Sequence, residues 1–196
     1  YQSIAEEACS YDITNINYIK HMIPHHQVAI DISIELQKIS KWPEMQDILR
    51  KLIWTQQYEI YMMNYILSSL PDDMSINNLK MNTTYQPSVS SFISPNKVGL
   101  TDTYCDPHFF NPEEHMKHMS HMKLTDAIYI EHMIPHHQVA VDMSKKLLKN
   151  TKNDFMIYLA YRIIRSQESE IIMLTDLKKS TYKNKFHVNF NKSEIL

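Results

Sequence analysis

The string His-Met-Ile-Pro-His-His-Gln-Val-Ala occurs twice, at residues 21–29 and again at 132–140. Nine identical residues, three of them histidine, do not recur by chance in a chain of 196. A duplicated scaffold needs only its apolar pattern, so retention of Met, Pro and three His in both places points to a site built twice. The correspondence extends well beyond the string at a constant offset. Thr14 matches Thr125, Tyr18 matches Tyr129, Asp31 matches Asp142 and Ser33 matches Ser144. Further on, Met45 matches Met156, Ile53 matches Ile164, Gln56 matches Gln167, Glu59 matches Glu170, Ile60 matches Ile171 and Met62 matches Met173. No gap separates the two matched blocks, so the chain carries two units, about 12–70 and 123–181.

Each unit reads as a helical hairpin. Thr14 and Thr125 are N-cap residues, and the first helix runs to about Ser40, where Trp42-Pro43 breaks it. Pro43 suits the first turn of a second helix that ends near Leu70, ahead of Pro71-Asp72-Asp73. Two hairpins give four main helices, and four amphipathic helices bury their stripes best as a bundle. The expected fold is therefore all-α: a four-helix bundle built from two duplicated hairpins, with a long linker and short extra helices. The linker spans 71–122 and holds the only glycine, Gly99. Asn111-Pro112-Glu113-Glu114 starts a short helix near 112–122, with a cap, a proline at the first position and acids in the first turn. Ser3 to Glu6 form a capping box for a short N-terminal helix. A polar tail occupies 182–196.

Composition excludes several functions. A net charge of -2 gives no basic footprint for nucleic acid. No apolar run is long enough to span a bilayer. The chain opens on Tyr1, so a processed product is expected, with any signal or anchor segment removed. Cys9 and Cys105 form no CxxC pair; they could tie the N-terminal segment to the linker in an oxidising compartment, or stand as two free thiols. Asn82-Thr83-Thr84 and Asn191-Lys192-Ser193 fit glycosylation acceptors, a hint of export.

Chemistry enters through residues that face the wrong way. At about 100° per residue, Lys20, Gln27, Asp31 and Lys38 share one side of the first helix, and Tyr18, Met22, Ala29 and Leu36 the other. His25 falls inside that apolar stripe, flanked by His21 and His26. On the second helix Gln56 and Glu59 lie within the stripe of Met45, Leu49, Leu52, Ile53, Ile60, Met63 and Leu67. A buried carboxylate without a partner would cost several kcal/mol, and the facing histidines supply one. A lone Glu-His pair would be structural. Here three His, one Met and one Glu recur as a set, and His21 and His25 stand one helical turn apart, so both rings can reach one ion. Pro24 removes a helical hydrogen bond to Lys20; either the turn is re-aimed or the helix begins anew there.

A second metal signal is the run His115-Met116-Lys117-His118-Met119-Ser120-His121-Met122. At a period of three it predicts a His row and a Met row along a helix. Thioether sulfur suits Cu(I), and imidazole suits Cu(I) or Cu(II), so copper is the expected ion, ahead of zinc and iron. Most of the thirteen Met are core filler. Met22 and Met133 adjoin histidines, and Met62 and Met173 lie beside the Glu59 and Glu170 faces.

The repeated string, followed by Gln-x-x-Glu-Ile-x-Met, resembles the ferritin-like domain-of-unknown-function family 305. That resemblance implies an envelope-associated, periplasmic or secreted four-helix bundle, in some members linked to copper binding and tolerance. It marks His21, Met22, His25, His26, Gln56, Glu59 and Met62 in unit one, and His132, Met133, His136, His137, Gln167, Glu170 and Met173 in unit two. Unit two keeps Met143-Ser144 where unit one has Ile32-Ser33, and the linker with its His-Met run lies outside the common core. No GxSxG, HExxH or phosphate loop is present, which favours a non-enzymatic role and leaves the enzyme question open. The expected function is a metal-binding protein that sequesters copper or hands it over, with a metal-donor or metal-acceptor protein as its partner. One alternative is a dinuclear-iron oxidase or oxygen-binding bundle, which usually needs more inward carboxylates. The other is a structural surface bundle with no metal.

Overall fold

The structure, a computed structural model, describes residues 13–69 and 107–190. Cys9, Cys105, the Ser3 capping box, most of the linker and both glycosylation acceptors lie outside the described residues. Among the described residues every regular element is helical, and the chain is an all-α bundle. Four long helices, α1 (Asn15–Ile39), α2 (Pro43–Ser69), α4 (Asp126–Asn150) and α5 (Asp154–Phe190), carry it, with a short α3 (Pro112–Ser120) preceded by a 3-10 turn (Pro107–Phe110). No described helix is long and apolar enough to cross a membrane.

Local chemistry sets these boundaries. The Thr14 hydroxyl accepts from Asn17 N–H and the Thr125 hydroxyl from Ile128 N–H, so α1 and α4 begin at equivalent caps. Asn111 caps α3 in the same way by accepting from Glu114 N–H. Both hairpin turns are three residues long, closed by Ser40 N–H donating to Leu36 C=O and Thr151 N–H donating to Leu147 C=O. Pro24 and Pro135 lie inside helices that run unbroken past them, so the helix does not restart at Pro24. One boundary differs from expectation: α5 continues to Phe190, beyond the expected end of unit two near 181.

Within each hairpin the helices pack on each other, α1 on α2 and α4 on α5; between hairpins α1 packs on α4 and α2 on α5. The apolar interior is split in two. One half-core joins the start of α1 (Tyr18, Ile19, Met22), the end of α2 (Met63, Ile66), the end of α4 (Met143, Leu147) and the start of α5 (Met156, Ile163). The other joins the opposite ends: Ile32 and Leu36, Met45 and Leu52, Tyr129 and Met133, Ile171 and Leu174. Helices α1 and α4 therefore run antiparallel.

The repeat offset exchanges the two half-cores: Tyr18 becomes Tyr129, Met22 becomes Met133, and Met143 becomes Ile32. This is the contact pattern of a two-fold axis, in which i meets j and j meets i. Two hydrogen bonds make the reciprocity explicit. Tyr18 Oη lies 2.7 Å from Ser144 Oγ, and Tyr129 Oη lies 2.7 Å from Ser33 Oγ. Ser144 and Ser33 also donate to Ala140 and Ala29 C=O on their own helices, which leaves each tyrosine to donate. Burial pushes both phenols far above their ordinary pKa, so they stay neutral.

Candidate metal centre

Between the half-cores lies a polar slab. It consists of His25 and His26 on α1, Gln56 and Glu59 on α2, His136 and His137 on α4, and Gln167 and Glu170 on α5. All eight are buried, and only Glu170 shows any surface, at 4%. The pseudo-axis passes through the slab where His25 stacks on its own counterpart His136, ring centroids 3.7 Å apart at 28°.

The acceptors around these rings fix which nitrogen carries the lone pair. His25 Nε2 lies 3.1 Å from His136 C=O; a carbonyl only accepts, so Nε2–H donates and Nδ1 holds the lone pair. His26 Nε2 donates to Glu59 Oε2 at 2.8 Å, which turns its Nδ1 to the other side of the ring. Neither Nδ1 has a hydrogen-bond partner, and the same holds for Nδ1 of His136 and of His137. The side-chain amides of Gln56 and Gln167 are likewise without partners. Each such buried polar group costs about 1–3 kcal/mol unless something binds it.

The two halves are not identical. Glu59 Oε1 also accepts from the Ser166 hydroxyl at 3.5 Å, and Arg162 Nε approaches it to 3.3 Å as an ion pair without the alignment of a hydrogen bond, while Arg162 rests over the Tyr58 ring at 4.9 Å. In the other half His137 Nε2 approaches Glu170 Oε2 to 2.7 Å without the alignment of a hydrogen bond. His136 Nε2 has no partner, whereas its counterpart His25 Nε2 is bonded. Burial first, then the adjacent imidazoles, hold His25 and His136 well below the usual histidine pKa, so both are neutral at pH 7.

The remaining residues singled out from sequence fall into three environments. Met22 and Met133 are fully buried in opposite half-cores, and Met62 and Met173 pack against their edges. His21 Nδ1 donates to Asn17 C=O at 2.6 Å, and its ring meets Phe110 edge-on at 6.2 Å. The His-Met run does not keep its two expected rows. His115 and Met119 are buried, His118 is exposed, and His121 and Met122 lie beyond the last turn of α3 and are exposed. A step of three residues turns 300°, so such a row drifts by about 60° per step and cannot hold one face of even a short helix. His115 turns inward, its Nε2 3.0 Å from His132 Nε2. His118 turns outward to His108, ring centroids 5.8 Å apart.

Sequence reasoning missed His108, Phe109 and Phe110. Their signal, an aromatic cluster just before the Asn111 cap, carries no spacing that announces its target. In the fold Phe109 stands edge-on to His136 at 4.9 Å and to His132 at 5.2 Å, and Phe110 lies 5.3 Å from His25. The rings of His25 and His136, held neutral and each with one imidazole lone pair, fit an ion by their chemistry. They are not yet a closed cage: among the described residues no three or more His, Cys, Asp or Glu form a metal-holding group.

Fold and slab together define an all-α bundle with a histidine-rich polar layer across its centre. The chain belongs to the family described as domain of unknown function DUF305, whose profile matches residues 15–178. Among solved structures it is similar to CopM in its Cu(I)-bound form, with a TM-score of 0.60 and 26% identity over 87% of this chain and 99% of that one. CopM in its Cu(II)-bound form gives a TM-score of 0.57 and 26% identity, covering 85% of this chain and 96% of that one. A DUF305 fragment from Deinococcus radiodurans shares the fold at a TM-score of 0.54 and 18% identity, over 83% and 93% of the two chains. No curated protein matches the chain.

Proposed function

We propose that this protein binds copper at the central slab and serves as a non-enzymatic module that sequesters the ion or passes it to a partner protein, in an exported or envelope setting. One observation carries the reading: four buried imidazole Nδ1 atoms without protein partners, that of His25 a lone pair fixed by its Nε2–H donating to the His136 carbonyl. Ligating histidines characteristically donate their other ring N–H to a carboxylate or a backbone carbonyl, which sets tautomer and orientation. Glu59 and the His136 carbonyl stand in those places for His26 and His25. Glu59 and Glu170 then act through His26 and His137, as orienting partners and not as the first ligands.

The ligands are His25, His26, His136 and His137, with His21, His132 and the thioethers of Met22, Met133, Met62 and Met173 within the adjoining turns. Met22 and Met133 stand one helical turn from His25 and His136, and thioether donors favour copper over zinc. The likeness to copper-bound and silver-bound forms of CopM supports the same choice. The two hairpins are two copies of one unit, 12–70 and 123–181, that share a centre. A dinuclear-iron reading gains no support, since Glu59 and Glu170 are the only buried acids among the described residues.

The test is direct. Purified protein incubated with Cu(I), Cu(II) or Zn(II), then desalted, should retain stoichiometric copper by elemental analysis. Replacing His25 and His136 together should lower that stoichiometry. No retained copper in the unaltered protein would end the proposal.

A further inference from the structure

The histidines outside the slab lie in sequence, not scattered. His108 and His118 are both exposed and face each other at 5.8 Å between ring centroids. One turn back along α3, His115 is buried and brings its Nε2 to 3.0 Å from Nε2 of half-buried His132. One turn along α4 from His132 is His136, ring to ring 5.9 Å, and His136 stacks on His25 at 3.7 Å. Phe109 lies against the inner part of this series as an apolar wall, edge-on to both His132 and His136. From His115 inward the imidazoles follow one another ring to ring to the middle of the slab, and the exposed pair stands one helical turn further out. On the opposite side of the 3-10 turn the counterpart of His132 has a different neighbour: His21 meets the Phe110 ring edge-on.

We propose that His108 and His118 form a surface capture pair for the ion, and that His115 with His132 forms an intermediate station delivering it to His136 and His25. This rests on the metal-binding reading above. Its content is a route into one half of the centre, built from a stretch that flanks the repeat units. The geometry of the middle station suits its role. Two nitrogens 3.0 Å apart, each about 2.0–2.1 Å from an ion, would subtend roughly 91–97° at it, the angle of a cis pair in tetragonal Cu(II), once the two rings tilt away from the hydrogen bond that now points them at each other. Each step exchanges one imidazole nitrogen for another, with no change in oxidation state. The proton now shared between His115 and His132 moves to the other nitrogen of the donor ring, so both rings stay neutral.

The experiment is stopped-flow loading of the full chain with Cu(II) chloride, following tryptophan quenching, with retained copper counted after chelator washing. The His108→Ala, His118→Ala double variant touches only exposed side chains and should fold normally. It should lose the fast, chelator-labile ion and fill the retained sites about tenfold more slowly, equivalent to about 1.4 kcal/mol on the loading barrier. Adding His115→Gln to it should slow filling little further, because the three residues serve one route. Filling at the unaltered rate in the double variant would overturn the route while leaving the slab as a copper site. No retained copper in the unaltered chain would instead overturn the metal-binding reading, and the route with it.

Discussion

Replacing His26 with Leu in the metal-free protein strips Glu59 Oε2 of its 2.8 Å hydrogen bond and leaves a fully buried carboxylate short of one partner. Removing the partner of a buried charge costs about 3–5 kcal/mol, because the surviving charge stays desolvated. Here Arg162 at 3.3 Å and Ser166 at 3.5 Å still serve Oε1, so the cost should fall near the lower end, about 3 kcal/mol. For a domain of this size that is roughly 6–12 °C in Tm. Glu59→Leu alone leaves the His26 N–H unpaired and takes from Ser166 an acceptor and from Arg162 its ion-pair partner, and should cost about 1–3 kcal/mol. The His26→Leu, Glu59→Leu double variant removes both polar groups at similar volume and should be no less stable than His26→Leu alone. Urea denaturation in excess chelator, run as a double-mutant cycle, reads this as a coupling of about 2 kcal/mol or more. A His26→Leu cost under about 1 kcal/mol, or strict additivity, would refute the claim that the pair is mutually dependent. The same cycle on His137 and Glu170 should give a smaller coupling, since their close approach is not aligned.

Other expectations follow from the same geometry. His25 and His136 resist protonation in the fold but titrate near 6.5 when unfolded, so the unfolded chain takes up more protons below that pH and stability falls. The loss approaches about 1.4 kcal/mol per group per pH unit only well below pH 6.5, so the unfolding free energy of metal-free protein from urea titrations should drop by about 2 kcal/mol between pH 6.5 and 5.5, and His25→Phe should flatten the trend. Tyr18→Phe and Tyr129→Phe should each cost about 0.5–1.5 kcal/mol and agree with each other, since the bonds they lose to Ser144 and Ser33 are equal in length. Trp54→Ser and Tyr61→Ser should change stability by less than about 0.5 kcal/mol in the same assay, because both side chains stand largely in solvent.

What could be read from the chain and what could not divide along a physical line. Thr14, Thr125, Pro43 and Asn111 mark helix starts through chemistry confined to one turn, and their sequence context is enough. The inward turn of His25, His26 and Glu59 follows from a 3.6-residue period, which is also local. The stacking of His25 on His136, the crossing of Tyr18 to Ser144 and the arrival of Phe109 against His136 depend on how one hairpin docks on the other. Nothing within a turn or two of those residues encodes it. The His-Met run shows the opposite failure: a clean period of three in sequence becomes, on a helix, a set of residues facing three ways.

The pairing of His25 with His136 also bears on how the two hairpins can change over time. Each supplies part of the wall against which the other is built, so neither is a spare free to drift. Where they meet, nine consecutive residues remain letter for letter the same. Where each turns to water, the likeness is gone: exposed Trp54, Tyr58, Tyr61 and Tyr65 on α2 stand where α5 has exposed Arg165, Ser169, Ile172 and Asp176. The seam acts as a mutual template, and a substitution there would need its answer in the other half of the same chain.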